Sequence, residues 1–400
     1  MASINVRPEF FGQPQTANKE CSSEIIQQVR PQTSNISGSG ALSGDVIIDL
    51  STGANEWLDL FKSHIVVNYT TSSITDHVEL DMLSTCCFDR AQLLLNGVKV
   101  ANSDYYTQDS LLSKRLNFSE TYNKNINQMQ YTTGVVSANY PGDAGTYSSI
   151  EHLDGLFLRN PDVIIPPNTH VRLILTSASN ILYKSVRGDG TDGAVTLAIN
   201  DLYFNRYSIV KTAPISDGDH IIKLNTFQTF KNSIASASLN TQVMVRESCI
   251  RLAAYFQSTA AETTTVTTKG FNSTIFGYAT DTSTTKMNTL LFKYGAQQLP
   301  MRAFDNTSYG NTESYIANSI MAEKTLDPAG SELQASWVAQ GQIYSVPVVK
   351  TSQDTSKSVE LQVTFASAPA AVSFLTAVYE NFVSIPYSRG IPAGATASLV

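Results

Sequence analysis

The chain has 400 residues, past the size at which a single hydrophobic core usually keeps growing, so two domains are expected. Apolar residues make up 42% and charged residues only 15%, with Thr, Ser, Asn, Tyr and Val abundant, a balance that favours sheets and polar loops over long helices. A formal net charge of −7 excludes a protein that coats nucleic acid by charge alone, which requires clustered Lys and Arg.

Residues 1–43 open with MASINVRPEFFGQPQ, which lacks the apolar core of a signal peptide, and become Gly/Ser-rich toward SNISGSGALSG. They show no period and read as a polar arm. No later run is apolar enough over about twenty residues to span a bilayer, so a soluble, intracellularly made protein is expected. The β pattern starts at DVIIDLS and continues through WLDLFKSHIVVNYTT and HVELDMLSTCCF. LLLNGVKV follows, and Asn96-Gly97 predicts a two-residue hairpin turn because both positions need positive φ. Short runs bounded by Ser, Thr, Asn, Asp and Gly predict a sandwich. Residues 103–131 interrupt it: Leu112, Leu116, Tyr122, Ile126 and Met129 recur at helical intervals, with Ser103 or Asp104 as the cap and a break near Asn117.

The strand pattern resumes at DVIIPPNTHVRLILTS, where Val171, Leu173 and Leu175 line one face, and at VTLAINDLYFNRYSIV. KTAPISDGD reads as a linker. Beyond it come HIIKLNTF, TQVMVRESCIRLAAYF, a Thr-rich β stretch, TLLFKYGAQQLPMRAF and a short helical candidate, TESYIANSIMAE. Val359, Leu361, Val363 and Phe365 then alternate with Glu360, Gln362 and Thr364, the clearest strand signal in the chain. Aligning Gly97 with Gly295 pairs Leu93-Leu94 with Leu291-Phe292, and the same order of elements follows in each half. The expectation is two similar β-sandwiches in tandem: an arm at 1–43, a first barrel at 44–213 and a second at 214–400.

Catalytic chemistry has little to stand on. No P-loop, Gly-x-Ser-x-Gly elbow, His-Glu-x-x-His or Gly-x-Gly-x-x-Gly occurs. His64, His77, His152, His170 and His220 are scattered, and Cys21, Cys86, Cys87 and Cys249 have neither disulfide-framework nor zinc spacing. They are read as reduced structural cysteines, and no metal or cofactor is expected. SDGDH, with Asp217, Asp219 and His220, lacks the remaining acids of a calcium loop and reads as linker. Arg187-Gly188-Asp189 is the one candidate receptor-binding loop, although RGDGTDG is also ordinary turn chemistry.

The order of elements resembles the double jelly-roll major capsid proteins of the adenovirus and polinton-type lineage of tailless icosahedral DNA viruses. VIIDLSTGANEWLDLFKSHIVVNYT is similar to the family's opening strands, with I-D-L leading into L-x-K-S-x-I. VANSDYYTQDSLLSKRLNFSETYNKNINQMQ resembles the helical insertion after the first hairpin. HLDGLFLRNPDVIIPPNTHVRLILTSASN and INDLYFNRYSIVKTAPIS resemble the strands that complete the first barrel. LLFKYGAQQLPMRAF, ESYIANSI and VYENFVSIPYSRGI resemble parts of the second. The likeness spans most of 44–391. MVRESCIRLAAYF departs from it by lacking the family's Gly-Gln-x-Pro pattern, and the Asn-Pro-Phe element after it is missing.

The resemblance implies two tandem eight-stranded jelly rolls with short helical insertions. It also implies a structural capsid subunit, without enzymatic activity, that forms pseudo-hexameric homotrimers in the virion. The implied partners are further copies of the chain, neighbouring capsomers, and minor capsid and vertex proteins. The arm would reach beneath neighbouring capsomers toward an internal membrane or the genome, and no sequence-specific nucleic-acid binding is expected. The alternatives are an accessory vertex or spike protein, which the Arg-Gly-Asp loop would suit, and a carbohydrate-binding sandwich. The latter generally needs facing carboxylates with exposed aromatics, and Trp57 and Trp337 stand in no acidic cluster.

Overall fold

The computed structural model describes residues 21–33, 36–38, 40–71, 76–79, 87–117, 145–156, 163–178, 184–187, 197–211, 217–246, 248–259, 287–305, 343–348, 357–388 and 391–392. The first half supplies β1 (Cys21–Val29), β2 (Asp45–Asp49), β3 (Glu56–Thr71), β4 (Asp76–Glu79), β5 (Phe88–Leu95), β6 (Val98–Ser103), helix α1 (Tyr106–Asn117), β7 (Gly145–His152), β8 (Ile164–Ile165), β9 (Val171–Ser177), β10 (Lys184–Arg187) and β11 (Leu197–Lys211). The second supplies β12 (Gly218–Ser233), β13 (Ser238–Val245), β14 (Cys249–Ser258), β15 (Met287–Tyr294), β16 (Gln297–Asp305), β17 (Tyr344–Pro347), β18 (Lys357–Phe365), β19 (Ala371–Ser388) and β20 (Ile391–Pro392).

The two halves share one topology. In the first, the sheets run β1-β11-β3-β7 and β2-β9-β5-β6; in the second, β12-β19-β14-β17 and β13-β18-β15-β16. Counting the eight path strands of each half in chain order, both give 1-8-3-6 in one sheet and 2-7-4-5 in the other. That is the jelly-roll order, two four-stranded sheets closed face to face, present twice. The chain is a double jelly roll. β8 adds to β3, β20 adds to β19, and β4 and β10 form a separate ribbon.

Period-2 alternation builds both cores. Val46 and Ile48, Ala91, Leu93 and Leu95, and Val171, Leu173 and Leu175 meet inside the first barrel. Val359, Leu361, Val363 and Phe365 meet Leu290 and Phe292 inside the second. The hairpin turns are built as their glycines require: Asn96 and Gly97 stand at φ 49° and 81° between β5 and β6, and Gly295 at 57° between β15 and β16.

The arm expected at 1–43 is corrected in part. Residues 21–29 are the first strand of the first barrel, paired antiparallel along β11. This strand has no apolar alternation because it is a sheet edge exposed on both faces, with Ile25 at 43% and Ile26 at 68% exposure. Val29 at its end packs against the first core, and its other anchors are polar. Tyr207 Oη donates to Glu24, Lys62 Nζ lies 3.7 Å from Glu24, and Arg30 reaches Asp201 at 2.6 Å.

The Asp59–Ser63 stretch of WLDLFKS has a definite task. Asp59 Oδ1 accepts the backbone N–H groups of Phe61 and Lys62 at 3.0 and 3.2 Å, and Ser63 Oγ donates to the Asp59 carbonyl at 2.6 Å. These bonds hold a bulge where β3 slips against β11 between its pairings at Asp59 and His64. Before the bulge β3 pairs with β8, and after it with β7. The Cys86-Cys87 reading can be followed only at Cys87, which like Cys249 is buried and in no disulfide, with burial pushing the Cys87 thiol up to about 12. Cys86 lies outside the described residues.

Candidate functional site

Among the described residues, the principal joint is the seam between the barrels. β12 and β19 pair without interruption from Gly218↔Tyr387 to Ser233↔Val372, a ribbon longer than one barrel needs. Its two ends serve different cores. Leu375, Ala377 and Tyr379 pack inside the second barrel, whereas Ile222, Leu224, Val383, Ile385 and Tyr387 pack into the first. The ribbon therefore clamps one barrel onto the other through apolar contact.

Polar contacts fix its register. Tyr387 Oη donates to the Pro167 carbonyl and lies 3.0 Å from Thr169 Oγ1, which ties the last long strand to the loop before β9. His220 packs edge-on against both Trp57 and Tyr387, at 5.7 and 5.1 Å between ring centroids. Lys211 Nζ sits 4.7 Å above the Trp57 ring, a cation–π contact at the start of the linker.

Helix α1 is the second clamp. It leaves the first barrel after β6, yet Leu112 and Leu116 pack on the second, against Ala253, Tyr255 and Phe374. Tyr255 stacks on Phe374 at 5.1 Å, and Tyr105 meets the same ring edge-on at 5.6 Å. The inward side of the first turns is polar: Thr107, Asp109, Ser110 and Ser113 are all buried. Ser103, expected as a cap, instead donates to Asp109 Oδ2 at 2.6 Å. Thr229 of β12 donates to Asp109 Oδ1 at 2.5 Å, and Thr376 of β19 lies 2.8 Å from Thr229. One carboxyl group thus joins the two barrels. Burial pushes Asp109 up to about 7 and Asp104 adds repulsion, both outweighing the two hydroxyl donors.

A neighbouring contact pins α1 to β7. Ser110 Oγ donates to Glu151 Oε1 at 2.6 Å, both residues buried. The corner after β7 carries Gly155 of HLDGLF, where a Cβ would stand 2.6 Å from the Tyr106 carbonyl oxygen. Glycine is required there by close approach. Burial, with Glu151 and Asp154 nearby, drives the Tyr106 phenol well above its ordinary range.

The fold brings His64 and His152 together as cross-strand partners, with ring centroids 5.5 Å apart. Both ring nitrogens of His64 are engaged, one with the Lys62 carbonyl at 3.2 Å and the other with Asn205 Nδ2 at 2.9 Å, so this pair is structural. Burial holds His64 below its usual range. Among the described residues no group of three or more His, Cys, Asp or Glu side chains converges on a point that could hold a metal. Asp217 and Asp219 flank the start of β12 without joining such a group. Of the Arg187-Gly188-Asp189 loop, Arg187 closes β10 opposite Asp76, while Gly188 and Asp189 lie outside the described residues.

The seam was not found from sequence. Asp109 lay inside the helix predicted from apolar spacing, and Tyr387 in VYENFVSIPYSRGI, a segment whose resemblance assigned it to the second barrel rather than to the seam. Both act through partners more than a hundred residues away, Thr229 and Pro167.

These features define a class, a double jelly roll with a buried inter-barrel seam. No protein-family model matches the sequence, and no curated protein sequence matches it. Solved structures do. The fold is similar to a chain of the Sputnik virophage (TM-score 0.60, 12% identity, covering 96% of this chain and 90% of that one). It is similar to the PBCV-1 virus capsid (0.59, 14%, 94% and 97%) and to the mavirus major capsid protein (0.51, 12%, 96% and 94%). At these identities the likeness establishes the shared fold.

Proposed function

We propose that this chain is a viral major capsid protein, a structural subunit without catalytic activity that assembles as a homotrimer into the shell of an icosahedral DNA virus. One observation carries the reading: the same eight-strand order occurs twice in one chain, over nearly the full length of capsid chains from PBCV-1 and mavirus. Two equivalent barrels per subunit give a trimer six barrels, so a threefold particle presents a hexagonal outline and tiles a flat facet. The clamped seam supports this, because a facet needs the two barrels of each subunit held at one angle. The charge balance of −7 suits a shell that does not condense nucleic acid itself.

Other copies of the chain, adjoining capsomers and minor virion proteins are the partners this reading implies, and the virion is its place of residence. Electron microscopy of the purified protein tests it. The expected particles are threefold, with six barrel-sized densities in a near-hexagonal outline. Isolated two-lobed particles at micromolar concentration would overturn it.

A further inference from the structure

A cleft of about 700 Å³ opens beside the seam, between β5–β6 of the first barrel and β12–β13 of the second. Its walls have an uncommon makeup. β6, β12 and β13 are each the outermost strand of their sheet and, among the described residues, paired on one side only, so three strand edges border one cavity. Open edges carry unpaired backbone N–H and C=O groups, and proteins usually protect them.

The charge of the cleft opposes that of the chain. Arg90, Lys99, Lys231 and Arg246 line it with Asp104 as the one acid among the described residues, in a protein of net charge −7. All four cations are exposed; Arg246 lies over the Tyr379 ring at 4.6 Å, and Arg90 is 3.9 Å from Asp104. Exposed cations alone would be an ordinary solvated rim. Beside the cleft, two buried side-chain atoms have no hydrogen-bond partner among the described residues, Asn102 Oδ1 on β6 and Asn232 Nδ2 on β12. Asn232 spends its own oxygen on Thr241 Oγ1 at 3.2 Å. One orphan acceptor and one orphan donor, on opposite walls, are the complement of a peptide group. Groups of this kind are costly when left unpaired.

We propose that this cleft takes an extended, acidic polypeptide segment from another protein, its backbone lying along the open strand edges and its carboxylates against Lys99, Lys231 and Arg246. Strand addition gives the affinity through main-chain hydrogen bonds, and the cations select the charge. A strand directs alternate side chains to one side, so acids at every second position would face the basic wall. The binding does not rest on the capsid reading; within that reading the segment belongs to another virion protein.

The test uses the full-length chain and a fluorescein-labelled decapeptide of alternating Glu and Val, read by fluorescence anisotropy at low salt. Saturable binding is expected, with none for the matching Lys-Val decapeptide. Lys99→Glu combined with Lys231→Glu should weaken binding by about tenfold or more while leaving the unfolding midpoint unchanged. If the double reversal fails to fold, Lys99→Gln with Lys231→Gln takes its place, with a smaller loss expected. N-methylating every second amide of the peptide should weaken it comparably, and millimolar inorganic phosphate should not displace it. Hydrogen exchange should slow on peptide addition at the outward amides of β6 and β12. The proposal is overturned by an absence of saturable binding, or by equal binding of the methylated peptide. Full displacement by phosphate would reduce the cleft to a simple anion site. Complete protection of those amides before peptide is added would mean a second copy of the chain already fills it. Either result contradicts the proposal.

Discussion

Replacing Asp109 with Asn should remove a large part of the pH dependence of stability near neutrality. Asp109 is 1% exposed, receives hydroxyl hydrogen bonds from Ser103 and Thr229, and is held near 7 against an ordinary 3.8. The sign follows from linkage. The folded carboxyl keeps its proton where the unfolded one has lost it, so the native state binds more protons across this window. Its stabilising contribution is complete below about pH 4, declines as pH rises toward 7, and is gone above it. A difference of about three pKa units at about 1.36 kcal/mol each sets an upper bound of roughly 4 kcal/mol. The groups facing it share in the field: Asp104 adds to the repulsion, and the Tyr255 phenol is itself driven upward by burial and by Asp109. His64, depressed by burial, works in the other direction, since it favours unfolding as pH falls through the normal histidine range. Urea unfolding of both proteins from pH 5 to 8.5 isolates the Asp109 part as the difference between them. The Asn variant should match or slightly trail the wild type at pH 5 and exceed it at pH 8. Parallel curves across the range would refute the reasoning.

Other substitutions probe the same seam. Tyr387→Phe removes the hydroxyl that serves Pro167 and Thr169 and should cost about 1–3 kcal/mol of unfolding free energy; an unchanged urea midpoint would show that the ribbon's polar tether contributes nothing. Leu112→Ala opens a cavity where α1 meets the second barrel and should cost about 2–5 kcal/mol, seen as a lowered midpoint of the whole molecule rather than of one barrel. Gly155→Ala places a Cβ 2.6 Å from the Tyr106 carbonyl oxygen and should reduce the yield of folded protein sharply; near-normal thermal stability would mean the corner relaxes freely.

Much of the fold was legible because it rests on local rules. The Asn96-Gly97 turn, the matching Gly295 turn and the 359–365 alternation are read directly from neighbours in sequence. Aligning Gly97 with Gly295 does superpose equivalent hairpins, β5–β6 on β15–β16. What failed to show was whatever depends on both faces of an element at once. β1 was hidden because an edge strand exposed on both sides has no period to read. The start of β19, AVSFLTAV, is buried at every position and shows no alternation, because one face fills the second barrel while Val372 and Phe374 on the other meet the helix cluster. α1 was found from Leu112 and Leu116, but its buried polar turn was not, since Asp109 and Ser110 look solvent-facing until Thr229 and Glu151 arrive from distant strands. The second helical candidate, at 312–323, lies outside the described residues.

The most direct test of the account is the mass of the purified chain in solution, by light scattering after size exclusion. With a subunit of 43.5 kDa, the capsid-subunit account predicts a stable species at three times that mass, 130.5 kDa, that persists on dilution. A well-folded species at 43.5 kDa under the same conditions would contradict it.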